Sequence, residues 1–92
     1  MPHKLSDLEI QRALNGLSGW SRRNNSLVKT FTFERFADGI AFVTRVATAA
    51  DAMNHHPDID IRYTKVTLTL STHDAGGITK NDLELAQKID SL

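Results

Sequence analysis

Two hydrophobic rhythms run along the chain. From Arg35 to Asn54 the apolar residues Phe36, Ile40, Val43, Val46, Ala47, Ala50 and Met53 return every three or four positions, and no proline intervenes before Pro57. That period predicts one long helix. On either side the period is two. Leu27, Lys29, Phe31 and Phe33 share one face of a strand that pairs with Trp20 to Arg22 across the polar turn Arg23-Asn24-Asn25-Ser26. Ile59, Ile61 and Tyr63, then Val66, Leu68 and Leu70, predict a second hairpin with Thr64-Lys65 as its turn. Ser6-Asp7-Leu8-Glu9 reads as a capping box opening a helix over residues 7 to 15, and Thr79-Lys80-Asn81-Asp82 opens a last helix carrying Leu83, Ala86 and Ile89. The order is α-β-β-α-β-β-α. The simplest α+β arrangement is a four-stranded antiparallel sheet with three helices packed on one face, in a single domain over residues 1-92.

The long helix is apolar beyond the stripe a single sheet needs, because Phe42, Ala49 and Met53 add a second face. Either these residues fill a small core, or the chain forms a homodimer or homotetramer through the 35-54 helix or a sheet edge. Composition narrows the function. Eleven basic side chains balance eleven acidic ones, so no long-range field draws the chain to nucleic acid or to an anionic membrane. With no cysteine there are no thiolate nucleophiles, thiolate zinc sites or disulfides. No run approaches the roughly 20 apolar residues that span a bilayer, and Met1 to Asp7 has no signal-like apolar core, so a cytoplasmic protein is expected.

Chemistry concentrates at histidine. His3 lies at the terminus and reads as a surface residue, but His55-His56-Pro57 and His73 sit where two chain segments meet. A turn at Thr64-Lys65 pairs Tyr63 with Val66 and Ile61 with Leu68, and the same register extended sets His56 opposite His73. Asp51 precedes His55 by four residues, one helical turn away, where a carboxylate can fix an imidazole tautomer. Asp82 occupies the third helical position after Thr79, an ordinary place for a capping carboxylate. Gly76-Gly77 reads as a turn, since no phosphate-loop frame surrounds it. A metal site is disfavoured: adjacent His55 and His56 point apart in extended chain, and no histidine pair stands at helical spacing. The pattern favours proton transfer.

Asp51, His55-His56-Pro57, Tyr63, His73 and Asp82 resemble, residue type and spacing together, the motif of the pterin-4a-carbinolamine dehydratase family. The likeness extends over nearly the whole chain, through Trp20, Phe31-Thr32-Phe33 and Ser71 to Thr79. The resemblance implies an α+β subunit, dimeric or tetrameric, that dehydrates 4a-hydroxytetrahydropterin to quinonoid dihydropterin without metal or redox cofactor. It would regenerate the cofactor of aromatic amino acid hydroxylases. By the same resemblance His55 and His73 transfer protons and His56 orients the pterin and shares in catalysis. Pro57 and the segment Thr72, His73, Asp74 and Ala75 line the substrate, while Asp51 and Asp82 support the site. Asp51 is shorter than the glutamate many relatives carry there. The family also implies a second kind of role, since its animal member binds a homeodomain transcription factor and assists its dimerisation. A protein-binding adaptor, using the apolar helix face around Phe42 and Met53, is therefore the alternative reading.

Overall fold

The computed structural model describes residues 3–92; Met1 and Pro2, on which the expected start and the first positions of the 1-92 domain fall, lie outside the described residues. Capping boxes set two helix starts. Ser6 Oγ accepts the Glu9 N–H at 3.2 Å while Glu9 Oε1 accepts the Ser6 N–H at 2.9 Å, opening α1 (Asp7–Leu14). Thr79 and Asp82 repeat the device at α3 (Lys80–Asp90). Between them lie β1 (Ser21–Arg23), β2 (Ser26–Thr32), α2 (Phe36–Met53), β3 (Asp58–Arg62) and β4 (Lys65–Leu70). All strand pairs are antiparallel in the order β1-β2-β4-β3, so the expected α-β-β-α-β-β-α fold stands. A short 3₁₀ turn, His73–Ala75, is added where a loop was expected.

Alternation along the central strands decides which sheet face is covered. Leu27, Val66, Leu68 and Leu70 are fully buried beneath the helices, with Leu27 opposite Leu70 and Phe31 opposite Val66. On the other face the Thr30 and Thr67 hydroxyls pair at 2.9 Å in solvent. Helix α2 meets the sheet on a stripe that keeps Val46 and Ala50 of the one its periodicity suggested and is rotated toward Phe42. Gly39, Phe42, Val46 and Ala50 are buried, whereas Phe36, Ile40 and Ala47 are exposed. Gly39, which carries no hydrophobic signal, sits on that face beside Phe33 and Val66, where a Cβ would stand at ordinary contact distances of 3.4 and 3.5 Å. Phe42 then stacks on Phe31 and Phe33 with centroids 4.7 and 5.2 Å away. It is core rather than an outer docking face.

The second hairpin also departs from expectation. Its turn is Tyr63-Thr64, with Arg62 opposite Lys65, Ile61 opposite Val66 and Ile59 opposite Leu68. Tyr63 takes a left-handed conformation, φ 51°, to make it. A slip of two residues keeps every side chain on its face, so hydrophobic alternation cannot tell the two registers apart. His56 and His73 are consequently not cross-strand partners, and both lie beyond the β3–β4 ladder, which ends at Asp58 opposite Thr69.

Candidate active site

The end of α2 aims the first two histidines. Asn54 adopts the left-handed conformation, φ 50° and ψ 43°, and the His55 N–H closes back onto the Ala50 carbonyl at 3.1 Å. This is a helix stop of the kind glycine or asparagine supplies, and it reverses the chain within one residue. Helical spacing between Asp51 and His55 is thereby broken. Asp51 Oδ1 meets His56 Nε2 at 2.8 Å instead, and His55 turns inward, its Nε2 2.6 Å from Asp82 Oδ1. The expected Asp51–His55 pair is replaced by two pairs.

Those pairs differ in burial. The Asp82 side chain is 0% exposed and that of His55 12%, against 77% for Asp51 and 56% for His56. An ion pair or charge-assisted hydrogen bond is far stronger when water is excluded, so His55–Asp82 is the rigid pair and His56–Asp51 the adjustable one. Asp82 also caps α3, taking the Thr79 N–H on Oδ2 at 2.9 Å, and accepts from the Thr72 hydroxyl on the same oxygen at 2.9 Å. One carboxylate therefore both caps α3 and holds His55.

Across from the α2 end, Thr72 and Gly77 bridge one another by backbone hydrogen bonds of 2.9 and 3.3 Å, and the enclosed 3₁₀ turn carries His73 and Asp74. Gly76 closes the turn at φ 73°. The result is a cleft of about 270 Å³ lined by Asn54, His55, His56, Ser71, Thr72, His73 and Asp74. That is near the small end of ligand pockets, a size suited to a flat heterocycle. Of the residues singled out in the sequence, all three histidines, Thr72 and Asp74 line it. Asp51 and Asp82 stand behind the imidazoles, and Pro57 and Ala75 are half-buried outside its lining. Asn54 and Ser71 also line the cleft but were not singled out as site residues, although Ser71 opens the Ser71 to Thr79 stretch that carries the resemblance. Asn54 was detectable as a residue tolerant of left-handed backbone just before His55. The Ser71 hydroxyl donates to the Asn25 carbonyl at 2.8 Å. Among the described residues no three His, Asp or Glu side chains are grouped to hold a metal ion.

Fold and cleft together define a small α+β protein equipped for proton transfer by histidine, with one imidazole locked by a buried carboxylate. The family model described as pterin 4 alpha carbinolamine dehydratase matches residues 3–92. A protein of Roseiflexus sp. named "Putative pterin-4-alpha-carbinolamine dehydratase" is 53% identical over 92 residues, covering 100% of this chain and 99% of its own length. One of the same name from Sulfurisphaera tokodaii is 52% identical over 97% of this chain and 96% of its own. Among solved structures, the transcriptional coactivator/pterin dehydratase of Brucella melitensis superposes with a TM-score of 0.93 at 30% identity, covering 97% of each chain. A pterin dehydratase-like protein identified as a RuBisCO assembly factor in the alpha-carboxysome superposes at 0.64 with 25% identity, over 78% of this chain and 83% of its own. The chain belongs to the pterin-4-alpha-carbinolamine dehydratase family and is a hydro-lyase by that membership.

Proposed function

We propose that the chain dehydrates 4a-hydroxytetrahydropterin to quinonoid dihydropterin and water by histidine acid–base catalysis in the cleft between the α2 end and the 73–75 turn. The observation that carries this reading is the convergence of His55, His56 and His73 on one cleft, with His55 backed by Asp82 and His56 by Asp51. The reaction balances with two proton movements. One proton reaches the departing hydroxyl oxygen as the C4a–O bond breaks; another leaves the adjacent ring nitrogen as its double bond to C4a forms. Imidazole titrates near neutrality and serves in either direction, and such help is typically worth about 10² to 10⁴ in rate. His55 and His73 form the proton-transferring pair. His56, on its exposed and adjustable pair with Asp51, orients the pterin and shares in the transfer. Backbone groups of the Thr72 to Ala75 segment, with Pro57 at the edge, suit the amide and amino edge of the ring.

The product would be reduced again to the tetrahydropterin used by aromatic amino acid hydroxylases, and the reading sets the enzyme in the cytoplasm. Assay of 4a-hydroxytetrahydropterin decay tests it: the wild type accelerates decay and His73→Ala loses most of the acceleration. Decay at the spontaneous rate with both proteins overturns it.

A second reading rests on the exposed apolar residues Phe36 and Ile40 of α2 and Ile59, Ile61 and Tyr63 of β3 and its turn. It is association through α2 or the β3 edge, either with copies of the chain or as a protein-binding adaptor. Sedimentation of the wild type beside Phe36→Asp and Ile40→Asp separates these cases. A species of subunit mass in all three removes self-association.

A further inference from the structure

The buried side of the cleft contains a hydrogen-bond chain longer than a histidine–carboxylate pair needs. Asn81 N–H lies 3.2 Å from Thr79 Oγ1, Thr79 Oγ1 lies 2.8 Å from Thr72 Oγ1, Thr72 Oγ1 lies 2.9 Å from Asp82 Oδ2, and Asp82 Oδ1 lies 2.6 Å from His55 Nε2. Proton order along it follows from the inventory of donors. A backbone N–H can only donate and an ionised carboxylate can only accept. Thr79 Oγ1 therefore accepts from Asn81 and gives its own proton to Thr72. Thr72 has a single proton, and because the carboxylate can only accept, that proton goes to Asp82 and Thr72 accepts from Thr79. The carboxylate then holds the Thr72 O–H and the Thr79 N–H on Oδ2, leaving Oδ1 for His55. For His55 Nε2 to satisfy that oxygen it must carry a proton, and in the neutral ring this leaves the lone pair on Nδ1. Every buried side-chain polar atom among the described residues has a partner, and the acceptor-only carboxylate of Asp82 is what fixes the order.

We propose that Thr72 is a positioning residue for His55: its hydroxyl, oriented by Thr79, holds Asp82 so that His55 presents Nδ1 as the proton-accepting nitrogen. This rests on the dehydratase reading and deepens it. Thr72 lines the cleft, and a hydroxyl there invites the simpler idea that it binds the pterin. Its donor and an acceptor site are already taken by Asp82 and Thr79, which argues against that idea. The starting point of the chain is the first turn of α3, whose aligned peptide dipoles favour negative charge at Asp82. Hydrogen bonds in sequence polarise one another in the same direction.

Imidazole nitrogen chemical shifts of His55, read by long-range ¹⁵N–¹H NMR above its titration, test the proposal without substrate. The wild type is expected as the Nε2–H tautomer. Thr72→Val, which keeps the shape and removes the hydroxyl, is expected to mix the tautomers and lower kcat by roughly tenfold. That is the lower end of what one hydrogen bond to a charged group is worth. KM should change little, and Thr72→Ser should restore both tautomer and kcat. A wild-type Nδ1–H tautomer overturns the proposal even if Thr72→Val fails to fold. So does a valine variant that keeps tautomer and kcat, or one that raises KM with kcat unchanged, which would make Thr72 a substrate-binding residue. Should the wild type show no dehydration at all, the dehydratase reading falls while the NMR comparison still judges whether Thr72 sets the tautomer.

Discussion

Asp82→Asn separates the structural and chemical duties of the buried carboxylate. Asp82 accepts three hydrogen bonds at 0% side-chain exposure: from Thr72 Oγ1, from the Thr79 N–H and from His55 Nε2. An amide of the same shape can keep two of them. Its oxygen serves the Thr72 hydroxyl and the Thr79 N–H, the two groups that Asp82 Oδ2 already holds. The amide N–H₂ then faces His55, where the carboxylate had accepted. To meet a donor, His55 must give up its Nε2 proton, and its lone pair and proton exchange positions. Stability should fall modestly, because charge-assisted bonds become neutral ones of about half the strength while none is left unmade. About 1 to 3 kcal/mol is the expected loss. For a domain of this size each kcal/mol lowers Tm by roughly 4 to 8 °C. Catalysis should fall far more, by about 10² to 10⁴ in kcat, since the base is presented as the wrong tautomer. Asp82→Ala is the contrast. It leaves the Thr79 N–H, the Thr72 hydroxyl and His55 without an acceptor in a buried site, and should cost about 3 to 5 kcal/mol. The assay is thermal denaturation by circular dichroism beside initial rates of pterin carbinolamine dehydration. An Asn variant that is folded and within a few-fold of wild-type kcat would refute the reasoning, because the tautomer would then not matter.

At the α2 end, Asn54→Gly should be tolerated and Asn54→Val should cost about 1 to 2 kcal/mol, the penalty of forcing a β-branched side chain into left-handed backbone. Because His55 follows directly, the valine variant should also lose kcat at a temperature where it is still folded, and comparing urea midpoints with rates checks both. At the first helix, the Glu9 carboxyl is held below its ordinary 4.5 chiefly by the Ser6 N–H and next by the Ser6 hydroxyl. A depressed carboxylate contributes stability that is present above its unfolded pKa and is lost as pH falls through the folded value. Urea midpoints followed from about pH 6 to about pH 3 should therefore drop less steeply for Glu9→Gln than for the wild type.

The legible parts of the fold are those set by local chemistry. Ser6-x-x-Glu9 and Thr79-x-x-Asp82 mark helix starts through hydrogen bonds between residues three apart, and both boxes form. The long helix and both hairpins follow from period alone. What sequence could not supply are relations with no local signature. The second hairpin lies two residues from the register that a Thr64-Lys65 turn implies, and alternation could not correct it, since both registers bury the same side chains. The face of α2 against the sheet includes Gly39 and Phe42 and leaves Phe36 and Ile40 exposed, a rotation that hydrophobic counting does not foresee.

At the site, the gathering of the three histidines was legible and their partners were not. Helical spacing offered Asp51 to His55, but one left-handed residue at Asn54 hands Asp51 to His56 and His55 to Asp82, 27 residues further along the chain. A capping box is usually a purely structural device. Here its carboxylate also holds an imidazole in the cleft, so the start of α3 and the setting of His55 are tied to the same atoms.

Determining the crystal structure of the protein with a reduced pterin bound tests the central claim most directly. The account predicts the ring seated between Asn54 and His73, with the C4a face within hydrogen-bond reach of the His55 and His73 imidazoles and the His55–Asp82 contact intact. A pterin bound elsewhere on the surface, or in the cleft with C4a and its neighbouring nitrogen out of reach of both imidazoles, would contradict it.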